Sequence, residues 1–358
     1  MKGLKSAGWT VGLAAAAAAV AGVTVLALRH EFRAPGPAPH ALRVAVEPGL
    51  TVRGVLDRLS AAGALAHPRL AEIYLRLRGL PSSIKAGEYE IPAHASAAAV
   101  VALLESGHVL LHQLTVVEGT RFSDFLKLLE ADPSVRATLR GESDAQVMAA
   151  IGHPGQRPEG RFFPDTYEFA AGTPDVEILK IAYDKMSRVL AAAWAGRLPG
   201  LPYSRPYQAL ILASMVEKET ARPAERALIA GVFVSRLRRG MRLQSDPTVI
   251  YGMGSMYHGN IGSRDLTADT PYNTYTRAGL PPTPICLPGR ASILAALRPQ
   301  VTGALYFVAS GNGDGSHRFS ATLQEHDVDV KHYLSRLRAE GRLPAQGTRH
   351  PEARERSR

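Results

Sequence analysis

The chain has 358 residues, 46% of them hydrophobic, a formal charge of +10 and a single cysteine. That length holds two modest domains or one large one. One cysteine excludes an intramolecular disulfide and a cysteine-based metal cluster within the chain, and the positive charge comes with no helix-turn-helix, zinc-finger or RNA-stacking motif, so nucleic acid is not the expected partner.

Residues Gly8–Leu28 carry no charge. About 20 apolar residues cross a bilayer as a helix. The stretch is longer than the apolar region of a signal peptide and stops abruptly at Arg29, His30 and Arg33, which predicts an uncleaved anchor. Lys2 and Lys5 balance the basic residues beyond it, so charge alone does not orient the helix. Pro35, Pro37 and Pro39 read as a short stiff spacer.

Residues 42–107 read as a small α/β unit. Leu42–Val46 alternates as a strand, Thr51 caps a helix with Val52, Val55, Leu56 and Leu59 on one face, a second helix starts at Pro68, and Glu88–Ile91 returns as a strand. A further helix from Ser96 is closed by Gly107. The β-helix-helix-β order resembles a LysM module, which binds N-acetylated glycans; a scaffold without ligand has the same order. A related pattern then returns at one fixed offset, with Gly119, Phe122, Phe125, Leu126 and Leu129 matching Gly49, Val52, Val55, Leu56 and Leu59. Chance similarity of a common supersecondary unit is preferred over duplication.

A glycine- and proline-rich stretch leads into the aromatic run Arg161–Phe169. Beyond it, Ala209–Val216 is apolar almost without a break, as in a helix buried on all sides. Glu217 ends that run over Ala213 and Leu210, where lost hydration disfavours the charged carboxylate. A carboxylic acid kept protonated near neutrality is what a glycosidic leaving oxygen needs as proton donor; a simple pairing of Glu217 with a cation remains open. Glu219 lies some 200° further round the helix, so the two do not form a carboxylate pair on one substrate atom, and Glu219 is expected to make a structural ion pair or cap a loop.

The next helix, Glu225–Arg239, stops at Gly240. Polar side chains cluster at Gln244, Ser245, Asp246 and Thr248, with Asp246 read as a helix cap or turn residue ahead of Pro247. Tyr272, Asn273 and Tyr275 offer aromatic and amide groups suited to sugars. Cys286 lies between Ile285 and Leu287, with no base nearby, and reads as a small packing residue. Residues 311–315 form a glycine-rich turn without the lysine of a phosphate loop, and no metal-ligand spacing joins His317 to another histidine. No metal or organic cofactor is called for. Residues 341–358 hold five Arg and two Glu and read as a disordered basic tail.

Five ordered stretches carry a family resemblance: EGRFFPDTYEF (159–169), LASMVEKET (212–220), SRLRRGMRLQSDPTVIYGMG (235–254), TPYNTYTRAGLPPTPI (270–285) and ALYFVASGNGDGSHRFSATLQEH (304–326). Together they resemble the endolytic murein transglycosylases, the YceG-like or MltG family. One departure is Leu287-Pro288-Gly289, where the family usually has Asn-Pro-Gly. The resemblance implies an α+β chain with the following order: cytoplasmic stub and transmembrane anchor (1–34), linker (35–41), LysM-like α/β subdomain (42–107), larger mixed α/β catalytic domain (108–337) and basic tail (338–358). It implies a single-pass protein of the bacterial inner membrane with a periplasmic catalytic domain. The expected reaction is lytic cleavage of the β-1,4 bond between N-acetylmuramic acid and N-acetylglucosamine in nascent peptidoglycan, leaving 1,6-anhydromuramic ends and terminating strand elongation. The resemblance places the catalytic residue on Glu217, and Gln244, Asp246, Tyr272, Asn273 and Tyr275 are expected glycan contacts. Peptidoglycan synthases are the expected protein partners. A peptidoglycan hydrolase using Asp246 as second carboxylate, and a non-catalytic glycan-binding scaffold, are the alternatives.

Overall fold

The computed structural model describes residues 4–77 and 84–340. In chain order the elements are α1 (Leu4–Arg33), β1 (Leu42–Val46), α2 (Val52–Ala61), α3 (Pro68–Leu77), β2 (Gly87–Ile91), α4 (Ala97–Ser106), β3 (Leu111–Thr115), α5 (Phe122–Ala131), β4 (Val135–Arg136), α6 (Asp144–Ala150), β5 (Thr166–Ala170), β6 (Thr173–Pro174), α7 (Asp175–Ala195), α8 (Pro206–Glu219), α9 (Arg226–Arg238), α10 (Asp246–Met253), α11 (Ser263–Thr267), α12 (Arg290–Leu297), β7 (Tyr306–Ala309), β8 (His317–Ser320) and α13 (Leu323–Ala339). This is a mixed α/β chain. Its strands pair two by two, as β1–β2, β3–β5, β4–β6 and β7–β8.

Two compact units divide the chain. The first runs through Leu114 and also takes Asp132–Thr138 and Glu168–Asp175; the second holds Thr115–Ala131, Leu139–Tyr167 and the chain from Val176 onward. The division is therefore not a single cut, and segments beyond residue 107 belong to the first unit.

In the first unit, β1 and β2 pair antiparallel, with Leu42 opposite Ile91 and Val46 opposite Gly87. Thr51 caps α2 by accepting from the Gly54 amide at 3.2 Å, and Ser96 caps α4 in the same way through Ala99. Gly107 ends α4 at φ +62°, a left-handed position that favours glycine. Val55, Leu56, Leu59, Tyr89, Ile91, Val100 and Leu104 close the core. Within α1, Ala15–Arg33 is long and apolar enough to cross a membrane. The short stiff spacer after it is docked. The Gly36 amide donates to His94, the His94 amide donates to Ala38, and Ala38 is buried. A Cβ on Gly36 would meet the Ala95 carbonyl oxygen at 2.0 Å, so only glycine passes there. The expected basic tail lies outside the described residues beyond Glu340.

The repeated pattern has a backbone counterpart. Gly49 and Gly119 adopt φ +85° and +84°, and each precedes a ten-residue helix, α2 or α5.

The core of the second unit is built on α8. Every residue from Ala209 to Val216 is buried, and the helix packs on α9, α10 and α12. Pro206 opens α8 at a position whose amide has no helical partner in any case. Gly231 lets α9 approach the segment after α12: a Cβ there would sit 2.0 Å from the Gln300 carbonyl oxygen. The β7–β8 hairpin pairs Tyr306 with Ser320 and Ala309 with His317, and α13 packs on it. β7 is half-buried along its length.

Candidate active site

α8 ends at Glu219, because Thr220 turns to extended backbone. The last turn therefore sends its two carboxyl groups to different surroundings within the second unit.

Glu217 keeps 6% of its side chain exposed. Its Oε2 accepts from the Gly289 amide at 2.9 Å, and its Oε1 lies 3.4 Å from the Arg226 guanidinium. The pairing cation left open by sequence is thus Arg226, on α9. Glu118 joins the same cluster, 3.9 Å from Arg226, and occupies the space a side chain at Gly289 would need. Burial, and then the charge of Glu217, push the Glu118 carboxyl up, while Arg226 opposes them. The departure Leu287-Pro288-Gly289 runs beside these groups: Leu287 is buried and exchanges backbone hydrogen bonds with Gly119 and Thr120.

Glu219 lines a cavity of about 400 Å³ with Arg236, Leu243, Gln244, Asp246, Tyr275, Tyr306, Phe307, Leu323 and His326. Ser245 Oγ donates to Glu219 Oε1. Burial pushes the Glu219 carboxyl up to about 7; the Ser245 hydrogen bond opposes this, the Asp246 charge adds to it, and Arg236 opposes it. The expected ion pair or cap is therefore absent among the described residues, and Glu219 is a desolvated acid facing a cavity. A second cavity of about 510 Å³, walled by Arg222, Pro223, Asp314, Gly315 and His317, also reaches Glu219. His317 is held there by Glu225, with Nδ1 at 2.7 Å from its carboxylate.

The cavity's shape rests on Arg236. Its guanidinium donates to the carbonyls of Leu305, Arg242 and Leu243 and to Gln244 Oε1. Gln244 itself is held at φ +52°, a sparsely populated region for a residue with a Cβ. Its amide donates to the Thr274 carbonyl, and the Ser245 amide donates to Thr274 Oγ1. Asp246 is the first residue of α10 rather than its cap, and Tyr275 donates to Asp246 Oδ1 at 2.5 Å.

Of the residues expected to bind glycan, the structure brings Gln244, Asp246 and Tyr275 together around Glu219, and not around Glu217. The Glu217 carboxylate, expected as the acid, is occupied by an amide and a guanidinium. Asn273 is turned to backbone groups of its own loop. It is fully buried; its amide donates to the carbonyls of Asp265, Leu266 and Ala268, and its oxygen accepts from the Tyr275 amide. Tyr272 does not line the cavity; its hydroxyl hydrogen-bonds Thr283, and its ring packs on Tyr251. Both shape the loop that carries Tyr275. Cys286 is a packing residue as expected, fully buried with its thiol pushed well up by burial.

Sequence reasoning missed Glu159, Arg236 and His326. Glu159 is buried, accepts from the Phe122 amide and from Tyr251, and is pushed up to about 7 by burial. No group of three or more His, Cys, Asp or Glu among the described residues is arranged to hold a metal ion.

The sequence model of the YceG-like family matches residues 44–332. The chain is 29% identical over 314 residues to an endolytic murein transglycosylase of Bacillus subtilis strain 168, covering 82% of this chain and 85% of that protein. It is 26% identical over 325 residues to an endolytic murein transglycosylase of Streptococcus pneumoniae strain D39, covering 82% of this chain and 58% of that longer protein. The crystal structure of a yceG-like protein from Listeria monocytogenes shares the fold at a TM-score of 0.50 and 24% identity, over 81% of this chain and 99% of that one.

Proposed function

Because the chain belongs to the YceG-like family, we propose that it is an endolytic peptidoglycan lytic transglycosylase with Glu219 as its acid/base. The family and the names of its relatives support the reaction class. The single observation that supports Glu219 is its position: a carboxyl pushed up to about 7 on the wall of a cavity that also holds Gln244, Asp246 and Tyr275.

The chemistry follows from that position. Protonated Glu219 donates to the glycosidic oxygen as the bond from the muramic anomeric carbon breaks. The resulting carboxylate takes the proton of the muramic 6-hydroxyl as that oxygen bonds to the same carbon. One proton passes from the 6-oxygen to the leaving oxygen by way of Glu219, and no water is consumed. The attacking hydroxyl belongs to the substrate, so its high effective molarity replaces a second activating carboxylate. Asp246, fixed by Tyr275, places negative charge beside the oxocarbenium-like centre.

Cleavage within a nascent strand ends its elongation, and the natural partner class is a peptidoglycan synthase. α1 serves as a single-pass anchor, with the second unit outside the cytoplasm. Residues 42–107 serve as a LysM-like glycan-holding subdomain, supported by their β-helix-helix-β order. A C-terminal reporter active only in the cytoplasm would contradict the topology.

A hydrolase is the second reading, favoured by the nearness of Asp246 to Glu219. Mass spectrometry of digested sacculi decides between them: anhydromuramic ends are expected, and reducing muramic ends alone would overturn the lytic reaction. Strand binding without any cleavage would leave a non-catalytic scaffold.

A further inference from the structure

The last of the motif stretches ends on His326, for which the reaction as written has no use. His326 lies in the first turn of α13, whose start is fixed by Thr322 and Glu325 in a reciprocal cap. Its ring stacks on Tyr306 at 5.2 Å and lines the Glu219 cavity. Nδ1 is buried with no hydrogen-bond partner. The ring makes no hydrogen bond with any other described residue. A side chain packed in place, in a polar cavity, with both ring nitrogens unused, is waiting for a partner from outside the protein.

Burial and then the Arg236 charge pull the ring below the ordinary histidine value, which favours its neutral form. One nitrogen then carries the proton. A proton on Nε2 leaves the dry Nδ1 as a bare lone pair and gives the cavity an N–H donor. Its neighbours divide by role. Glu219 and Asp246 offer acceptor oxygens. Gln244 has its oxygen occupied by Arg236 and has its NH2 to offer. Phe307 and Leu323 supply an apolar wall beside it. An N–H and an NH2 next to apolar carbon match the carbonyl oxygen and methyl group of an acetamido substituent.

We infer that His326 is a specificity contact that hydrogen-bonds the acetamido carbonyl of an N-acetylated sugar through Nε2–H. The inference rests on the cavity being the glycan site, and it assigns that site's preference for N-acetylated over free-amine sugars to His326 and Gln244.

The test uses the full chain carrying E219Q, in detergent micelles, labelled with 15N at histidine. It is titrated with a chitin hexasaccharide and with the fully de-N-acetylated hexasaccharide of equal length. The acetylated oligomer is expected to shift the His326 ring resonances and the free-amine oligomer is not. H326A is expected to weaken binding of the acetylated oligomer about tenfold and to leave the free-amine oligomer unchanged. Binding of the acetylated oligomer without movement of the His326 resonances overturns the inference, and so does an H326A protein that keeps its preference. Neither result bears on the acid, which is tested separately: continued cleavage of sacculi by E219Q removes Glu219 from the chemistry whatever His326 does.

Discussion

Glu217 and Glu219 leave the final turn of α8 in different directions, the first to the Gly289 amide and the second to the Ser245 hydroxyl. One is held in a charge cluster with Arg226 and Glu118, and the other lines the cavity with Asp246 and Tyr275. The same helix end thus supplies a structural anchor and a candidate acid.

That difference predicts different failures. E219Q removes the transferable proton and keeps the Ser245 contact within reach, so strand cleavage is expected to fall by about 10³-fold with folding intact. E217Q keeps an acceptor for the Gly289 amide and is expected to retain more than a tenth of the activity while losing thermal stability. Release of anhydromuropeptides from sacculi, measured beside circular dichroism melts, separates the two. An inactive but stable E217Q with an active E219Q would reverse the assignment.

The pH profile tests the acid directly. A proton donor titrating at about 7 is spent above that pH, so the alkaline limb of kcat/KM is expected to bend near 7 and fall tenfold per unit beyond it. The Asp246 charge contributes to holding Glu219 up. Removing a like charge lowers a carboxyl's pKa, so D246N moves the limb to lower pH in addition to slowing the reaction. Y275F frees Asp246 from its hydroxyl donor and is expected to cost about tenfold without unfolding the chain. A D246N limb that stays in place would show that Asp246 does not act on Glu219.

Much of the fold was legible because its signals are local. Thr51, Ser96 and Gly107 mark helix ends by their own side chains or lack of one, and the unbroken apolar run 209–216 announces a buried helix. The different surroundings of the two carboxyl groups were not legible for the same reason. A helix apolar all round gives every position an apolar stripe: Glu217 has Ala213 and Leu210 behind it, and Glu219 has Met215 and Leu212. What separates them comes from Ser245, Asp246 and Gly289, brought in by the tertiary fold. The surroundings of Asn273 were hidden similarly, since an amide suited to sugars is equally suited to three backbone carbonyls.

Glu159 gives the stability a pH slope. Its folded value of about 7 stands above the ordinary 4.5, so between these values the folded chain binds more protons than the unfolded one. The stabilisation is full below about 4.5 and is lost as pH rises through about 7, amounting to up to ~3 kcal/mol. Glu219 adds a slope of the same sign. Urea unfolding of the wild type is expected to show stability falling from pH 5 to pH 8, and E159Q is expected to flatten that fall. An equal slope in both proteins would mean that Glu159 is not titrating in this window.

Arg226 is the guanidinium that Glu217 and Glu118 share, and its side chain is only 12% exposed. Replacing it with Met keeps the bulk and leaves two nearby carboxylates without their cation. Breaking a buried pair from one side costs about 3 kcal/mol, more than the pair itself contributes, because the remaining charge stays desolvated. The second substitution should then be partly restorative. E217Q destabilises in the wild-type background, where it discards the Arg226 contact, but in R226M it removes a carboxylate that has nothing to oppose it. The double variant R226M/E217Q is therefore expected to be more stable than R226M alone. Denaturant midpoints of the four proteins in this cycle check the coupling, and strictly additive effects would show that Arg226 and Glu217 do not interact.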